Sequence, residues 1–187
     1  MEYLMAIIIT LAIVLGISKI IVPKNNVAKN PHISGIGGWL GLLVIGLMIL
    51  GPLLGASKLS HGFSDTLKQF PQLANNAPLE NYKQVSWLIF AVSASVSFAA
   101  GYRLWKIHFP KSVRFAVLAL WLAGPLSNVL YAISAIAIFG SSNVRGDAIV
   151  QIIMVTILSV IAAGIWTAYL MRSVRVRNTY KMQHSVQ

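Results

Sequence analysis

The sequence predicts an all-α protein, a polytopic transmembrane bundle of about five helices. The chain is 57% hydrophobic with only 10% charged residues, and its mean hydropathy is +0.73. A soluble domain of this length needs more polar surface. Five apolar runs each approach the roughly 20 residues that cross a bilayer core of about 30 Å. Because these runs are continuous rather than alternating, they favour helices over barrel strands.

The predicted spans are residues 3–22, 36–56, 85–105, 115–139 and 148–171. The first begins after Met1 and Glu2, which carry no positive charge, and no small-x-small cleavage site follows it. It is therefore interpreted as an uncleaved membrane helix rather than a signal peptide. Residues 1–32 form a unit of this helix and a basic linker, residues 33–182 form a four-helix membrane domain, and residues 183–187 form a tail.

The charges predict the orientation. The chain has 15 lysines and arginines, four acidic residues and a formal net charge of +11. Because connections alternate across the membrane, most basic residues fall on the side of the C-terminal tail, and all acidic residues fall on the other. An excess of lysine and arginine marks the cytoplasmic side, so the N-terminus is expected outside and the C-terminus in the cytoplasm. The basic charge is thereby explained without nucleic-acid binding.

The longest predicted connection is an outer loop over residues 57–84. Within it, four apolar residues recur at helical spacing, and Ser64 is a possible N-cap. These residues are Leu59, Phe63, Leu67 and Phe70. Pro71 and Pro78 then interrupt the pattern. Two interpretations stay open: a short helix on the outer membrane surface, or an irregular connector with one helical turn.

One group of polar residues falls within a predicted span. Pro125 removes a hydrogen bond from the carbonyl of Trp121 and is expected to kink the fourth helix. Ser127, Asn128 and Tyr131 follow it. A buried amide is costly unless it is paired, so Asn128 must face protein or water. It belongs either to a small binding cavity or gating hinge, or to an ordinary hydrogen bond with a neighbouring helix.

Small residues form a stripe on the third span, at Ser93, Ser97 and Gly101. In lipid, small side chains let helix backbones approach closely. The stripe predicts either an interface with a second copy or a partner protein, or packing inside the chain. A basic segment follows the fifth span, at Arg172, Arg175, Arg177 and Lys181. It either contacts anionic lipid at the cytoplasmic face or only secures the orientation.

Three segments carry a family resemblance. Gly35-Ile36-Gly37-Gly38-Trp39-Leu40 opens the second span, residues 166–180 close the fifth, and His108-Phe109-Pro110 lies between them. Together they resemble the bacterial inner-membrane proteins grouped as domain-of-unknown-function family 2569, over about residues 33–182. The resemblance implies a bacterial inner-membrane location and a four-helix core to which the first helix is an addition. It implies no activity and no catalytic residues.

Several classes of function are disfavoured. The chain has no cysteine, and no Asp, Glu or His falls within a predicted span. Proton-coupled pumps and ion-driven carriers usually keep such a group in the membrane. His61 and Asp65 could share a helix face, but no third metal ligand is evident nearby, and no nucleophile has a base within reach. No catalytic, cofactor-binding or metal site is therefore expected.

Two hypotheses remain. The first is a non-enzymatic packing or accessory subunit of a bacterial inner-membrane complex, joined to a membrane-protein partner or to itself. The alternative is a small solute or lipid transporter, or a lipid-handling protein, that uses the kinked helix around Pro125 and Asn128. A carrier needs a polar cavity between its helices, whereas a packing subunit needs none.

Overall fold

The computed structural model describes residues 34–140 and 146–182, with side chains from residue 149 onward in the second range. Four long helices and one short helix make up the described fold. They are α1 (Trp39–Gln69), α2 (Ala77–Lys106), α3 (Pro110–Phe139), α4 (Gly146–Arg172) and α5 (Val174–Thr179). The predicted first span and the predicted tail lie outside the described residues.

The four long helices are each long and apolar enough to cross a membrane, α4 by its residues Ile149–Arg172. They correspond to the second to fifth predicted spans, so the prediction of an all-α membrane bundle is confirmed. A helix of 30 residues, such as α2, is about 45 Å long at a rise of 1.5 Å per residue. It therefore exceeds the bilayer core and must tilt or project from it.

The connection between α1 and α2 differs from the predicted outer loop. α1 continues as a helix to Gln69, a 3₁₀ turn covers Pro71–Leu73, and α2 begins at Ala77. The predicted loop over 57–84 is therefore mostly helix, and Ser64 lies inside α1 rather than at an N-cap. The reason is that no proline occurs between Pro52 and Pro71. The apolar face of this extension packs on α2, where the rings of Phe63 and Tyr82 meet edge to face at 6.0 Å.

The helix ends follow from local sequence. Asn76 caps α2 by accepting a hydrogen bond from the backbone N–H of Leu79 at 3.0 Å. Pro78 then lies in the first turn of α2, where proline is tolerated because no intrahelical N–H is needed. α3 likewise begins at Pro110, and Gly140 ends it with a φ of +80°, a conformation that glycine adopts without strain.

The hydrophobic core lies in the half of the bundle that carries the C-terminal end of α4, which we call the packed half. The buried core residues there come from all five helices. They are Leu40, Leu43, Val44, Leu47, Ala100, Leu104, Val113, Ala116, Ala119, Leu170, Val176 and Tyr180. Ala100, Ala116 and Ala119 are fully buried, so small side chains allow these helices to approach closely.

Two π-turns mark where this packed half ends. One covers Gly46–Leu50 in α1 and precedes Pro52, and the other covers Leu122–Leu126 in α3 and contains Pro125. Proline cannot donate the backbone hydrogen bond that an α-helix requires, so each π-turn has an identifiable cause. Pro125, predicted to kink the helix, is thus the centre of a local change in helix type. Beyond both turns the helices surround a cavity.

Candidate functional site

A cavity of about 740 Å³ lies between α1, α2, α3 and α4. Its lining is largely apolar, with side chains that include Leu59, Phe63, Phe90, Ile152 and Val155. Polar side chains interrupt this lining at Lys58, Thr66, Asn76, Tyr82, Ser93, Ser97, Ser127, Asn128, Tyr131 and Gln151. The cavity therefore offers apolar surface with separated hydrogen-bonding groups, which is the usual character of a small-molecule site.

Two serines on facing helices form one wall of the cavity. The hydroxyl oxygens of Ser93 on α2 and Ser127 on α3 are 2.6 Å apart. Ser93 also lies 2.7 Å from the carbonyl oxygen of Ile89, and Ser127 lies 2.9 Å from that of Leu122. Each hydroxyl has one hydrogen, so the two serines can donate only two of these three hydrogen bonds. One serine donates to the other, and the second serine donates to a carbonyl oxygen of its own helix. This pair holds α2 and α3 together and satisfies one backbone carbonyl, that of Ile89 or that of Leu122.

Asn128 links α3 to α4. Its amide nitrogen donates to the hydroxyl oxygen of Ser159 at 3.0 Å, and Ser159 donates to the carbonyl oxygen of Thr156 at 2.8 Å. The amide oxygen of Asn128 and its second hydrogen have no partner within residues 34–140 and 149–182. Because Asn128 also lines the cavity, these two groups are available to a ligand. The residue thus makes an interhelical bond and borders a cavity, the two alternatives that its sequence left open.

The other residues of the predicted polar site differ in whether they line the cavity. Tyr131 lies one turn beyond Asn128 and lines the cavity, as Ser127 does. Pro125 is buried within the π-turn and does not line it. The structure therefore places three of the four residues at the cavity wall and the fourth where it shapes α3.

The small-residue stripe of α2 faces the interior of the chain. Ser93 and Ser97 line the cavity. Gly101 lies against α1, where an added Cβ would stand 2.5 Å from Cγ of Met48 and 3.2 Å from the carbonyl oxygen of Val44. The stripe and the polar site, which the sequence treats separately, are joined through Ser93.

Several cavity residues were not expected from the sequence. Lys58, Phe63 and Tyr82 line it, but all three fell in the predicted outer loop, so no sequence signal placed them beside a membrane site. Gln151 also lines the cavity. Its amide stands within the apolar run of the fifth predicted span, and that isolated polar residue was an available signal.

The three segments that carry the family resemblance meet at the packed end of the bundle. The backbone N–H of Gly35 donates to the hydroxyl oxygen of Thr179 at 2.9 Å. The rings of Trp39 and Trp166 meet edge to face at 6.4 Å. The guanidinium of Arg175 approaches Gly37 so closely that an added Cβ would lie 2.7 Å from Nη1. We call this group, with His108 and Tyr180, the motif cluster.

Tyr180 is the centre of the motif cluster. Its side chain is fully buried, its hydroxyl donates to the carbonyl oxygen of Leu104 at 2.6 Å, and its ring stacks on that of His108 at 5.8 Å. Burial raises the pKa of the Tyr180 phenol, and nearby Tyr169 raises it further. The phenol therefore keeps its hydrogen and remains a donor throughout the physiological pH range.

The predicted lipid-contacting residues separate into two pairs. Arg172 and Lys181 are exposed, whereas Arg175 and Arg177 are half-buried. Arg175 packs on Gly37, as described, and Nε of Arg177 is buried with no hydrogen-bond partner among the described residues. Only the exposed pair is fully open to lipid headgroups.

The helices and the cavity together define a polytopic helical membrane protein with a four-helix core. A family model described as a protein of unknown function, DUF2569, matches residues 33–181. The chain belongs to this family, and the resemblance predicted over residues 33–182 is confirmed. No match is found among curated proteins or among solved structures.

Proposed function

We propose that this protein handles a lipid or a small solute and holds it in the cavity between α1, α2, α3 and α4. The observation that supports this most directly is the amide of Asn128. It borders the cavity, and its oxygen and second N–H hydrogen are free of partners among the described residues. A packing subunit has no need of such a cavity, whereas a carrier or lipid-handling protein requires one.

The size and position of the cavity agree with this proposal. A volume of about 740 Å³ lies within the range of roughly 300–1,000 Å³ typical of small-molecule sites. The two π-turns that border it are a helix irregularity that recurs at functional sites. The serine pair fixes α2 to α3, and the Asn128–Ser159 bond fixes α3 to α4, so the walls are pre-formed.

The cavity is tested by filling it. The variant Ala94→Trp places an indole into the cavity wall, since Ala94 lines it. The variant Asn128→Leu removes the free amide. We expect each variant to lose at least about tenfold in the amount of ligand that co-purifies after gentle extraction, measured by mass spectrometry. Asn128→Leu should still fold, because interhelical hydrogen bonds in membranes are worth only about 0.6 kcal/mol on average.

Ala91→Trp is the matched control, because Ala91 lies on the same helix, is exposed and does not line the cavity. It should retain the ligand at the level of the unaltered chain. Equal ligand in all four proteins would remove the proposal.

We further propose the orientation that the charges predict, in a bacterial inner membrane. Two observations support it: Arg172 and Lys181 are exposed beyond the packed end, and Asp65 and Glu80 lie at the opposite end, beside the connector of residues 70–76. Under the positive-inside rule the packed end is cytoplasmic and the cavity opens toward the outer leaflet.

The orientation is tested by labelling introduced thiols. The chain has no cysteine, so a single substitution gives an unambiguous signal. We expect Ala74→Cys to react with a membrane-impermeant maleimide in intact cells, and Lys181→Cys to react only after permeabilisation. The reverse pattern would place the cavity on the cytoplasmic side.

The accessory-subunit hypothesis stays a prediction. The small-residue stripe of α2 suggested this hypothesis. Because Ser97 and Gly101 of the stripe are buried within the chain, the stripe no longer supports an interface with another protein. A protein partner that co-purifies in a fixed ratio with the full-length chain, while no lipid or solute does, would favour it over a ligand in the cavity.

A further inference from the structure

Lys58 differs from the other lysines at its end of the bundle. Lys68 forms an ion pair with Asp65 at 3.4 Å, and Lys83 forms one with Glu80 at 3.6 Å. Within residues 34–140 and 149–182, no carboxylate lies within ion-pair distance of Lys58. Among these three lysines, it is also Lys58 that lines the cavity.

The depth of Lys58 suits a headgroup. Along the axis of α1, Lys58 lies about 28 Å from Trp39 at a rise of 1.5 Å per residue. This separation is close to the thickness of a bilayer core. Lys58 is exposed, whereas the cavity continues inward as far as Ser97. The ammonium therefore stands at the interfacial mouth of a cavity that extends into the membrane.

Apart from Lys58, the described residues that line the cavity carry no charge. The cavity is lined by no acidic side chain among the described residues, and its other polar groups are uncharged. Beyond Lys58, the side chains of Phe63, Phe90 and Val155 supply apolar surface. Attraction between the ammonium and an anion is stronger at such a mouth than in bulk water, because the effective dielectric constant is lower.

We infer that the ligand is an anionic amphiphile, with a carboxylate or phosphate bound by Lys58 and an apolar body within the cavity. This inference rests on the proposed function and adds the chemical class of the ligand. The shared chemistry fits two sources, an anionic lipid drawn from the bilayer and a free amphiphile drawn from solution.

The test uses the full-length protein in phosphatidylcholine nanodiscs and compares Lys58→Gln with the control Lys68→Gln. Both substitutions remove one positive charge from α1, but Lys68 does not line the cavity. The free probes are oleate and its uncharged counterpart oleyl alcohol, and the lipid probe is phosphatidylglycerol incorporated into the nanodisc. Binding is measured by native mass spectrometry.

We expect Lys58→Gln to weaken the binding of oleate or phosphatidylglycerol at least about tenfold and to leave oleyl alcohol unchanged, while Lys68→Gln changes neither. Preference for oleate identifies a soluble source, and preference for phosphatidylglycerol identifies the bilayer. If Ala94→Trp blocks binding but Lys58→Gln does not weaken the anionic probes, the inference fails and the proposed function stands. If Ala94→Trp blocks no probe, the proposed function fails as well.

Discussion

Replacing Gly101 with leucine is expected to prevent the chain from accumulating as a folded protein in the membrane. A Cβ at this position would lie 2.5 Å from Cγ of Met48, 3.2 Å from the carbonyl oxygen of Val44 and 3.3 Å from Cβ of Leu47. Met48 has a flexible side chain, but Val44 contributes backbone. α1 and α2 would therefore have to separate, at a cost of about 3 kcal/mol or more.

Gly164→Leu is the matched control for Gly101→Leu. Gly164 also lies within a long helix, α4, but a Cβ added there would meet nothing within 4 Å. We expect it to keep the melting temperature of the unaltered chain, measured by aggregation of a fluorescent fusion in detergent, while Gly101→Leu is largely lost from the membrane. A Gly101→Leu protein that folds normally but loses self-association would instead make the stripe an interface between copies.

The spans could be predicted from the sequence because they depend on hydropathy alone. Each apolar run requires a helix long enough to satisfy its backbone within lipid. The ends of the helices could not be predicted in this way. Residues 57–69 are too polar to resemble a span, yet they continue α1 because no proline intervenes before Pro71. Hydropathy reports where the lipid ends, whereas capping and proline decide where the helix ends.

The candidate site was predictable only in fragments. Asn128 stood out as an amide in an apolar run, and Ser93 stood out in a stripe of small residues. That Ser93 faces Ser127 depends on the register between α2 and α3, which no local pattern in one chain encodes. Lys58 was placed in a loop, so its position in the cavity lining could be found only once α1 was known to extend past it.

The segments that carry the family resemblance had no role that the sequence could assign. Gly35 is distant in the chain from Arg175 and Tyr180, and the family resemblance does not show that they meet. The structure relates them through the contacts of the motif cluster. Their shared position at the packed end indicates that they stabilise the fold there, away from the cavity.

Replacing Tyr180 with alanine is expected to detach the C-terminal segment from the bundle. The substitution empties a fully buried site, and losses of about 3–5 kcal/mol are usual for large aromatic residues in cores. Tyr180→Phe should cost less, about 1–3 kcal/mol, since it leaves the ring in place but removes the hydrogen bond to the buried carbonyl oxygen of Leu104. Limited proteolysis at α5 and the melting temperature of the purified protein measure both effects.

Tyr102→Ala is the control for Tyr180→Ala. Tyr102 lies on α2 near Leu104, the residue that Tyr180 contacts, but its side chain is 45% exposed. Its removal should leave α5 resistant to protease. If Tyr180→Ala behaves like Tyr102→Ala, the motif cluster does not hold α5, and the close contact of its three segments has another purpose. If Tyr180→Ala detaches α5 but leaves ligand bound in the cavity, the two halves of the bundle have separate roles. The packed half then secures the helices, and the half beyond the π-turns binds the ligand.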